Sequence, residues 1–318
     1  MKQSLLLLLT LLIASCTEDE PTTSTTDAKM NFQFKFDETQ ERLDGSGEPV
    51  EIPAGHAAQH PDFNSMSGFY IELVPTKFTQ IGDGAVIYEA PKQAAQSGSQ
   101  FEEAVIFDEA IVNDENETFL ALDVKNIPPG TYEYLRISVT YQNADIRFNM
   151  KNLPTPFPND LDNQLGTLAG FIGFNTYISD FQIKNKSVEV NEDKVQGFWG
   201  FEVQLDEPYQ SYYLQYANPS GVTTGQSPNG ATTVVNILEQ FGVTLPQGSC
   251  IVTGELNEPL IITGNETEDI DVTLSFSVNN SFEWVDDNGN GEWDWDIQAG
   301  TVEQVVDMGL RGLKVFVD

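Results

Sequence analysis

The feature that most constrains the fold of this chain is a two-residue alternation of apolar and polar side chains. In NFQFKFDE, Phe32, Phe34 and Phe36 fall on one face of an extended strand, as in a strand with one buried face. The same alternation occurs in FYIELVP, FLALDV, TYEYLRISVTYQ, DIRFNM, GFWGFEVQL, CIVTGEL, DIDVTLSFSVNN and KVFV. Because Gly, Pro, Asn and Asp separate these segments, we predict an all-β fold, an antiparallel β-sandwich of Ig-like or jelly-roll type.

One short helix and one candidate boundary interrupt this pattern. Thr232–Phe241 carries apolar side chains at helical spacing, and Gly242 would end the helix. We assign residues 30–318 to the sandwich domain. The segment 151–164, KNLPTPFPNDLDNQ, is either a long loop in one sandwich or a boundary between two. We favour the loop, because the glycine-rich segment that follows is a poor start for an independent core.

Residues 1–15 form a predicted lipoprotein signal peptide. Lys2 precedes the apolar run Leu5–Ile13, which is shorter than the ~20 residues of a membrane-spanning helix. The motif IASC, ending at Cys16, resembles the lipobox of bacterial lipoproteins, in which cleavage leaves a lipidated N-terminal cysteine. Several acyl chains on Cys16 would anchor the protein stably to a membrane. The alternative is an ordinary secretory signal followed by a chance cysteine.

Residues 16–29 are predicted to form a flexible tether. TEDE follows Cys16 directly and resembles the surface-export signal of Bacteroidetes lipoproteins. The rest of the segment is rich in Thr and Ser and has little apolar surface to bury. We therefore expect an outer-membrane lipoprotein of the cell envelope, and the acidic cluster favours exposure at the cell surface.

The charge of the chain limits its partners. Its 15 Lys and Arg face 49 Asp and Glu, a formal net charge of −34. A surface of this sign repels phosphate backbones, so we expect no nucleic-acid partner. We expect contact with the membrane through the lipid at Cys16, together with an unidentified ligand or protein partner.

The sequence contains none of the common catalytic motifs that we looked for. It contains no GxSxG, HExxH, Walker or CxxC motif. Acylation of Cys16 would leave Cys250 without a disulfide partner, and Cys250 begins an apolar strand, where a free cysteine is usually a small buried hydrophobic residue. We therefore predict a non-enzymatic binding protein.

The strongest candidate site is the loop VDDNGNGEWDWD. With Asp286 as position 1, oxygen-bearing residues follow at alternate positions and Gly291 falls at position 6, as in EF-type calcium loops. Ile297 stands where a bidentate Glu is expected at position 12, and Asp296 is the nearest substitute. The candidate calcium ligands are Asp286, Asn288, Asn290, Glu292, Asp294 and Asp296.

This loop has strand-like flanks, so we predict a structural calcium site in residues 286–296 and not a helix-loop-helix sensor. Its two Asn ligands carry no charge, so we expect a weak Kd, on the order of 10⁻⁴ to 10⁻³ M. The alternative is an Asn-Gly turn in a hairpin.

The two histidines of the chain, His56 and His60, form a second candidate site. Four residues apart, they would share one face of a helical turn and could bind a transition metal, as in the zinc H-x₃-H spacing. However, Gly55 precedes them and Pro61 follows, which favours a loop with one structural histidine.

Four tryptophans suggest a third reading, a glycan-binding surface lipoprotein, because aromatic rings can stack on sugars. Trp199 lies among apolar neighbours and is predicted to belong to the core. Trp293 and Trp295 would share one face of an extended chain. Packing within the loop explains that pair equally well.

Several landmarks resemble one family in their order along the chain: MNFQFKF, FYIELVPTKF, IPPGTYEYLRISV, GFWGFEV and DIDVTLSFSVNNSF. Together they are similar to the MbnP-like (methanobactin-associated periplasmic protein) family, over about Met30 to Val278. The resemblance implies a secreted lipoprotein-type β-sandwich that handles copper or a metallophore. Its metal chemistry would have to use His56 and His60, and the loop after Val285 lies outside it.

Overall fold

Most of the chain lies in β-strands. A computed structural model of the protein describes residues 28–231, 235–236 and 242–318. Strands make up 52% of the structure and helices 5%, which confirms an all-β sandwich with one short helix. The strands are β1 (Lys29–Asp37), β2 (His56–Gln59), β3 (Asp62–Val74), β4 (Ala85–Glu89), β5 (Lys92–Ala94), β6 (Glu103–Ile106), β7 (Val112–Asp114), β8 (Thr118–Asp123), β9 (Gly130–Lys151), β10 (Leu161–Phe171), β11 (Thr176–Gln182), β12 (Ser187–Lys194), β13 (Phe198–Gln204), β14 (Val222–Gln226), β15 (Ile251–Ile262), β16 (Ile270–Ser277), β17 (Phe282–Val285), β18 (Asp294–Asp296), β19 (Thr301–Val302), β20 (Val305–Asp307) and β21 (Leu313–Val317).

The helical segments are short. The α-helix α1 spans Tyr209–Tyr212 and continues as a π-helical turn, Tyr213–Ala217; 3₁₀ turns span Phe107–Glu109 and Val124–Asn126. The helix predicted at Thr232–Phe241 lies almost wholly outside the described residues. None of the described helices has the length and apolar character needed to cross a membrane.

The 22-residue strand β9 organises the largest sheet. One edge of β9 pairs with β10 and β15, and the other pairs with β3 and β18. The 14-stranded sheet runs in the order β14-β13-β10-β9-β15-β21-β16-β1-β8, with β3, β4, β7, β18 and β19 beside this path. Smaller sheets, β12-β11-β6-β5 and β2-β17-β20, complete the fold.

The sequence predicted β9 as two strands, TYEYLRISVTYQ and DIRFNM, and this division is wrong. The polar residues between them continue the ladder, because their side chains have partners inside the protein. Asn143 donates hydrogen bonds to the Ile183 carbonyl and the Tyr141 hydroxyl. Asp145 accepts hydrogen bonds from Thr167 and Lys184.

Most strand pairs are antiparallel, as predicted, but four pairs of described strands are parallel: β1–β16, β6–β11, β9–β18 and β15–β21. The sandwich is therefore mainly antiparallel, with these four parallel pairs among its described strands. A tight hairpin forces the two strands that it joins to run antiparallel. Strands such as β1 and β16, which lie near opposite ends of the chain, are not joined by a hairpin and can pair in either direction.

Four apolar clusters lie among the described residues, and the three largest form the core. In the first, Phe32 and Phe34 of β1 pack with Ile71 of β3. The second joins the C-terminal half of β9 to β10, β13 and the β2-β17-β20 sheet. The third lies under β11, around Phe171 and Phe181. Residues 152–160, in the predicted boundary segment, connect β9 to β10, which pair with each other.

Candidate functional site

The predicted calcium loop connects β17 to β18, next to the second core. The Asp286 carboxylate closes it: Oδ1 accepts hydrogen bonds from the backbone N–H groups of Gly289 (2.9 Å) and Asn290 (3.2 Å), and Oδ2 accepts one from Gly291 (2.9 Å). Gly289 and Gly291 have φ of 73° and 77°, a left-handed conformation that favours glycine. The sequence DDNGNG therefore folds into a compact ring of backbone around one carboxylate.

The alternate side chains of the loop converge on Asp294, which is 8% exposed. Asn288 and Asn290 donate from Nδ2 to Asp294 Oδ2, at 2.6 and 2.8 Å. Asn149 of β9 donates to Asp294 Oδ1 at 2.8 Å. The amide groups thus place partial positive charge on a buried carboxylate. Calcium binds carboxylate, amide and carbonyl oxygens, and the loop carries such groups. In this structure the Asn288 and Asn290 oxygens accept the backbone N–H groups of Asn290 and Glu292, so both amides would have to turn to bind the ion.

Glu303, a residue that the sequence analysis missed, completes the acidic centre. Its carboxylate accepts hydrogen bonds from the backbone N–H groups of Asp287 (3.0 Å) and Asp294 (2.9 Å), and the residue is 7% exposed. Burial raises the pKa of Glu303, and the nearby Asp294 and Asp286 carboxylates raise it further. Glu303 follows β19, outside the loop, so the regular spacing of the loop residues gives no indication that it belongs to the site.

Of the other predicted ligands, the Glu292 side chain is linked to Asp294 only through Asn149, whose Nδ2 donates to both carboxylates, and Asp296 points elsewhere. The Glu292 side chain accepts a hydrogen bond from Asn149, and the Asp296 carboxylate accepts from the Ala299 N–H and from Asn152 Nδ2, both at 2.8 Å. Within the part of the chain that the structure describes, no group of three or more His, Cys, Asp or Glu is arranged to hold a metal.

The two histidines do not share a helical turn. His56 begins β2 and His60 follows its end, and four extended residues span about 13 Å. His56 Nδ1 lies 2.5 Å from Glu283 Oε1, and that carboxylate also binds Arg42 and Arg311. His60 Nδ1 accepts the backbone N–H of Asn280 at 2.9 Å. Each ring therefore has its own partner within the fold.

A cavity of about 310 Å³ opens beside the predicted calcium loop. Its walls come from β10, β13, β14 and the segment 293–308, and they are mainly apolar. The principal lining side chains are Leu168, Trp199, Phe201, Phe282, Trp293 and Trp295. Trp293 and Trp295 therefore face one pocket. Trp199, predicted to be core, is half-buried and also lines the pocket.

Glycines shape this aromatic pocket. A Cβ at Gly225 of β14 would lie 2.4 Å from Trp199 Cζ2, so the indole can occupy its place only over a residue without a side chain. Similarly, a Cβ at Gly166 would lie 2.1 Å from Phe201 Cζ. Such close contacts show that the rings lie directly on the backbone of the neighbouring strands.

The loop and the pocket belong to one continuous structure. Trp293 Nε1 donates to the Glu303 carbonyl at 3.0 Å, while the Glu303 carboxylate holds the loop backbone. Trp295 pairs with Val302 between β18 and β19. A shift of the loop would therefore move one wall of the pocket.

Cys250 is a buried structural residue, as predicted. It is fully buried, and burial together with the nearby Asp307 raises the pKa of its thiol to about 12. The thiol thus stays protonated at neutral pH and is inert as a nucleophile.

Comparison with known proteins gives this chain no relatives from which a function could be carried over. No family model, no curated protein and no solved structure matches it.

Proposed function

We propose that this protein is a non-enzymatic binding protein of the cell envelope, anchored by a lipid on Cys16, with the aromatic pocket as its ligand site. A structural calcium ion in the loop 286–296 would hold one wall of that pocket. The observation that carries the proposal is the shared segment from Asp286 to Val305, which supplies both the loop and Trp293, Trp295 and Val302 of the pocket.

Electrostatics support calcium in this loop. Asp294 and Glu303 are both more than nine-tenths buried, and their neighbour Asp286 adds a third carboxylate to a chain of net charge −34. Buried like charges are unfavourable without a counter-charge. A divalent cation coordinated by Asp286, Asn288, Asn290 and Asp294 would supply it. The role is structural, since the strands on either side leave no pair of helices to open.

The membrane anchor rests on the sequence of residues 1–16, which lie outside the described part of the chain. The Thr-rich tether that follows would hold the sandwich away from the membrane surface. The aromatic pocket would then face the surrounding medium and not the lipid.

The test of the calcium part is a thermal melt of the chain from residue 17, in EDTA and in about 10 mM calcium. That concentration is roughly 10 to 100 times the expected Kd, so calcium should add about 1.4 to 2.7 kcal/mol of stability. The melting temperature should rise by about 2 to 5 °C.

The matched variants are Asp286→Ala, in the loop, and Asp83→Ala, an exposed acid outside it. We expect the calcium shift to disappear in Asp286→Ala and to persist in Asp83→Ala. An equal shift in both variants would mean that calcium binds elsewhere, and no shift in the wild type would leave the loop as a hydrogen-bonded turn.

A further inference from the structure

We infer that the aromatic pocket takes a small, uncharged, mainly apolar molecule with a flat ring system, and not a sugar or an ion. The inference rests on the proposed function, in which this pocket is the ligand site, and it adds the chemical class of the ligand. It depends on the size, charge and polarity of the pocket lining and does not require calcium.

The size of the pocket sets the scale of the ligand. A cavity of roughly 150 Å³ lined by apolar side chains is enough for benzene. This pocket, at about 310 Å³, has twice that volume and therefore room for two or three rings. It is at the small end of the range for ligand sites, about 300 to 1,000 Å³, which excludes long polymers from its interior.

The lining excludes a charged ligand. Glu303 is the only ionisable side chain among the described residues of the pocket wall, and its carboxylate already accepts two backbone N–H groups of the loop. An anion would meet this carboxylate with no cation to balance it. A cation would lose its water in a wall of Trp, Phe, Leu, Val and Met, where the one carboxylate, Glu303, is already held by two N–H groups of the loop.

The polar groups of the lining are too few for a sugar. Thr223, Gln226, Ser227 and Gln304 are its neutral polar side chains. Three of them are already engaged. Gln226 Nε2 donates to the Gln196 carbonyl at 2.7 Å, and Ser227 Oγ lies 2.9 Å from Met308 Sδ. Thr223 Oγ1 accepts a hydrogen bond from Asn218 Nδ2 at 3.4 Å. A sugar buried here would leave most hydroxyls without partners.

The rings are arranged for a flat guest. Trp293 meets Phe282 and Phe201 edge-on, with centroid distances of 5.0 and 5.7 Å and interplanar angles of 76° and 77°. These contacts fix the orientation of the Trp293 ring in the pocket wall. Trp199 is held over Gly225, and Trp295 is half-buried at the β18–β19 pair. Aromatic guests favour offset-stacked and edge-to-face contacts with such walls.

The experiment is a fluorescence titration of the chain from residue 17 with uncharged N-phenylnaphthylamine, followed by competition with unlabelled ligands. The competitors are neutral naphthol, its charged analogue naphthoate, and the disaccharide cellobiose. We expect one saturable site, displaced by naphthol at a concentration at least tenfold lower than by naphthoate, with no displacement by cellobiose.

Variants locate the site. Trp295→Ala should weaken binding of the probe at least fivefold, and Gln304→Glu, which adds a charge at an exposed lining position, should weaken it as well. Tyr216→Ala removes an aromatic ring that is 58% exposed outside the pocket and should change nothing. Circular dichroism of each variant would verify its fold.

The outcomes separate this inference from the proposed function. Tighter binding of naphthoate or cellobiose, lost in Trp295→Ala, would overturn the ligand class and leave the pocket as a binding site. Probe binding that neither Trp295→Ala nor Gln304→Glu changes would overturn the assignment to this pocket. No binding of any compound by the folded protein would overturn both.

Discussion

Substitution of Asp294 by Asn tests the loop most sharply, because it keeps the shape of the side chain and removes its charge. Asp294 accepts three side-chain hydrogen bonds, from Asn288, Asn290 and Asn149, at 2.6 to 2.8 Å. In Asp294→Asn, one oxygen becomes an NH₂ group that faces a donor. The Asn149 amide cannot turn without cost, since its Oδ1 accepts the backbone N–H of Asn163.

The expected loss follows from these contacts. A hydrogen bond to a charged group contributes about 1.5 to 3 kcal/mol, so the variant should lose about 2 kcal/mol in EDTA. In a domain of this size that is about 3 °C in melting temperature. In calcium the variant should lose a further 1.4 kcal/mol or more, roughly the whole contribution of the bound ion.

The assay is urea denaturation in EDTA and in calcium, for the wild type, Asp294→Asn and the control Asp83→Asn. The wild type and the control should gain the same stability from calcium, and Asp294→Asn should gain almost none. If Asp294→Asn were as stable as the wild type in EDTA and responded fully to calcium, the hydrogen bonds to Asp294 would contribute nothing to the free energy of unfolding or to calcium binding, and the reasoning would be refuted.

Three further predictions follow from the same contacts. Burial by itself would raise the pKa of Asp145, but hydrogen bonds from Thr167, Lys184 and Asn64 together lower it. The carboxylate therefore stabilises the fold above its unfolded pKa, and this stabilisation is lost as the pH falls through its folded pKa. Asp145→Asn should therefore cost about 1 to 3 kcal/mol near neutral pH, and urea denaturation should show this gap closing toward about pH 3. Gly225→Ala should displace the ring packed on it and weaken N-phenylnaphthylamine binding in the fluorescence titration, with little change if that ring can move freely. Cys250 should not react with a soluble disulfide reagent until urea unfolds the protein, and fast reaction of the native protein would contradict its burial.

The strands were the most predictable part of the molecule, because each amphipathic strand carries its signal locally. Phe32 and Phe34 are buried as the alternation requires. The same rule failed between Gln142 and Asp145, where Asn and Asp resemble a turn in the sequence. Their hydrogen-bond partners lie on other strands, so a local pattern cannot reveal that the ladder continues.

The candidate site was predictable only where it is contiguous. Asp286, Asn288 and Asn290 follow one another within a single loop, and their spacing alone indicated a common centre. Glu303 and Asn149 reach that centre through tertiary contacts, and because both lie outside the loop in sequence, the spacing of the loop residues could not predict them. The pocket was missed for a related reason: Trp199 has apolar sequence neighbours, and the half-exposed position of its ring depends on Gly225 of the adjacent strand.

The central claim is that calcium in the loop holds one wall of the ligand pocket. The most direct measurement is the Kd of N-phenylnaphthylamine for the wild-type chain, in EDTA and in about 10 mM calcium. Coupled sites typically change each other's affinity about 5- to 150-fold, and the effect is reciprocal. We predict at least fivefold tighter binding in calcium. An identical Kd in both conditions would show that the loop and the pocket are independent and would contradict the claim.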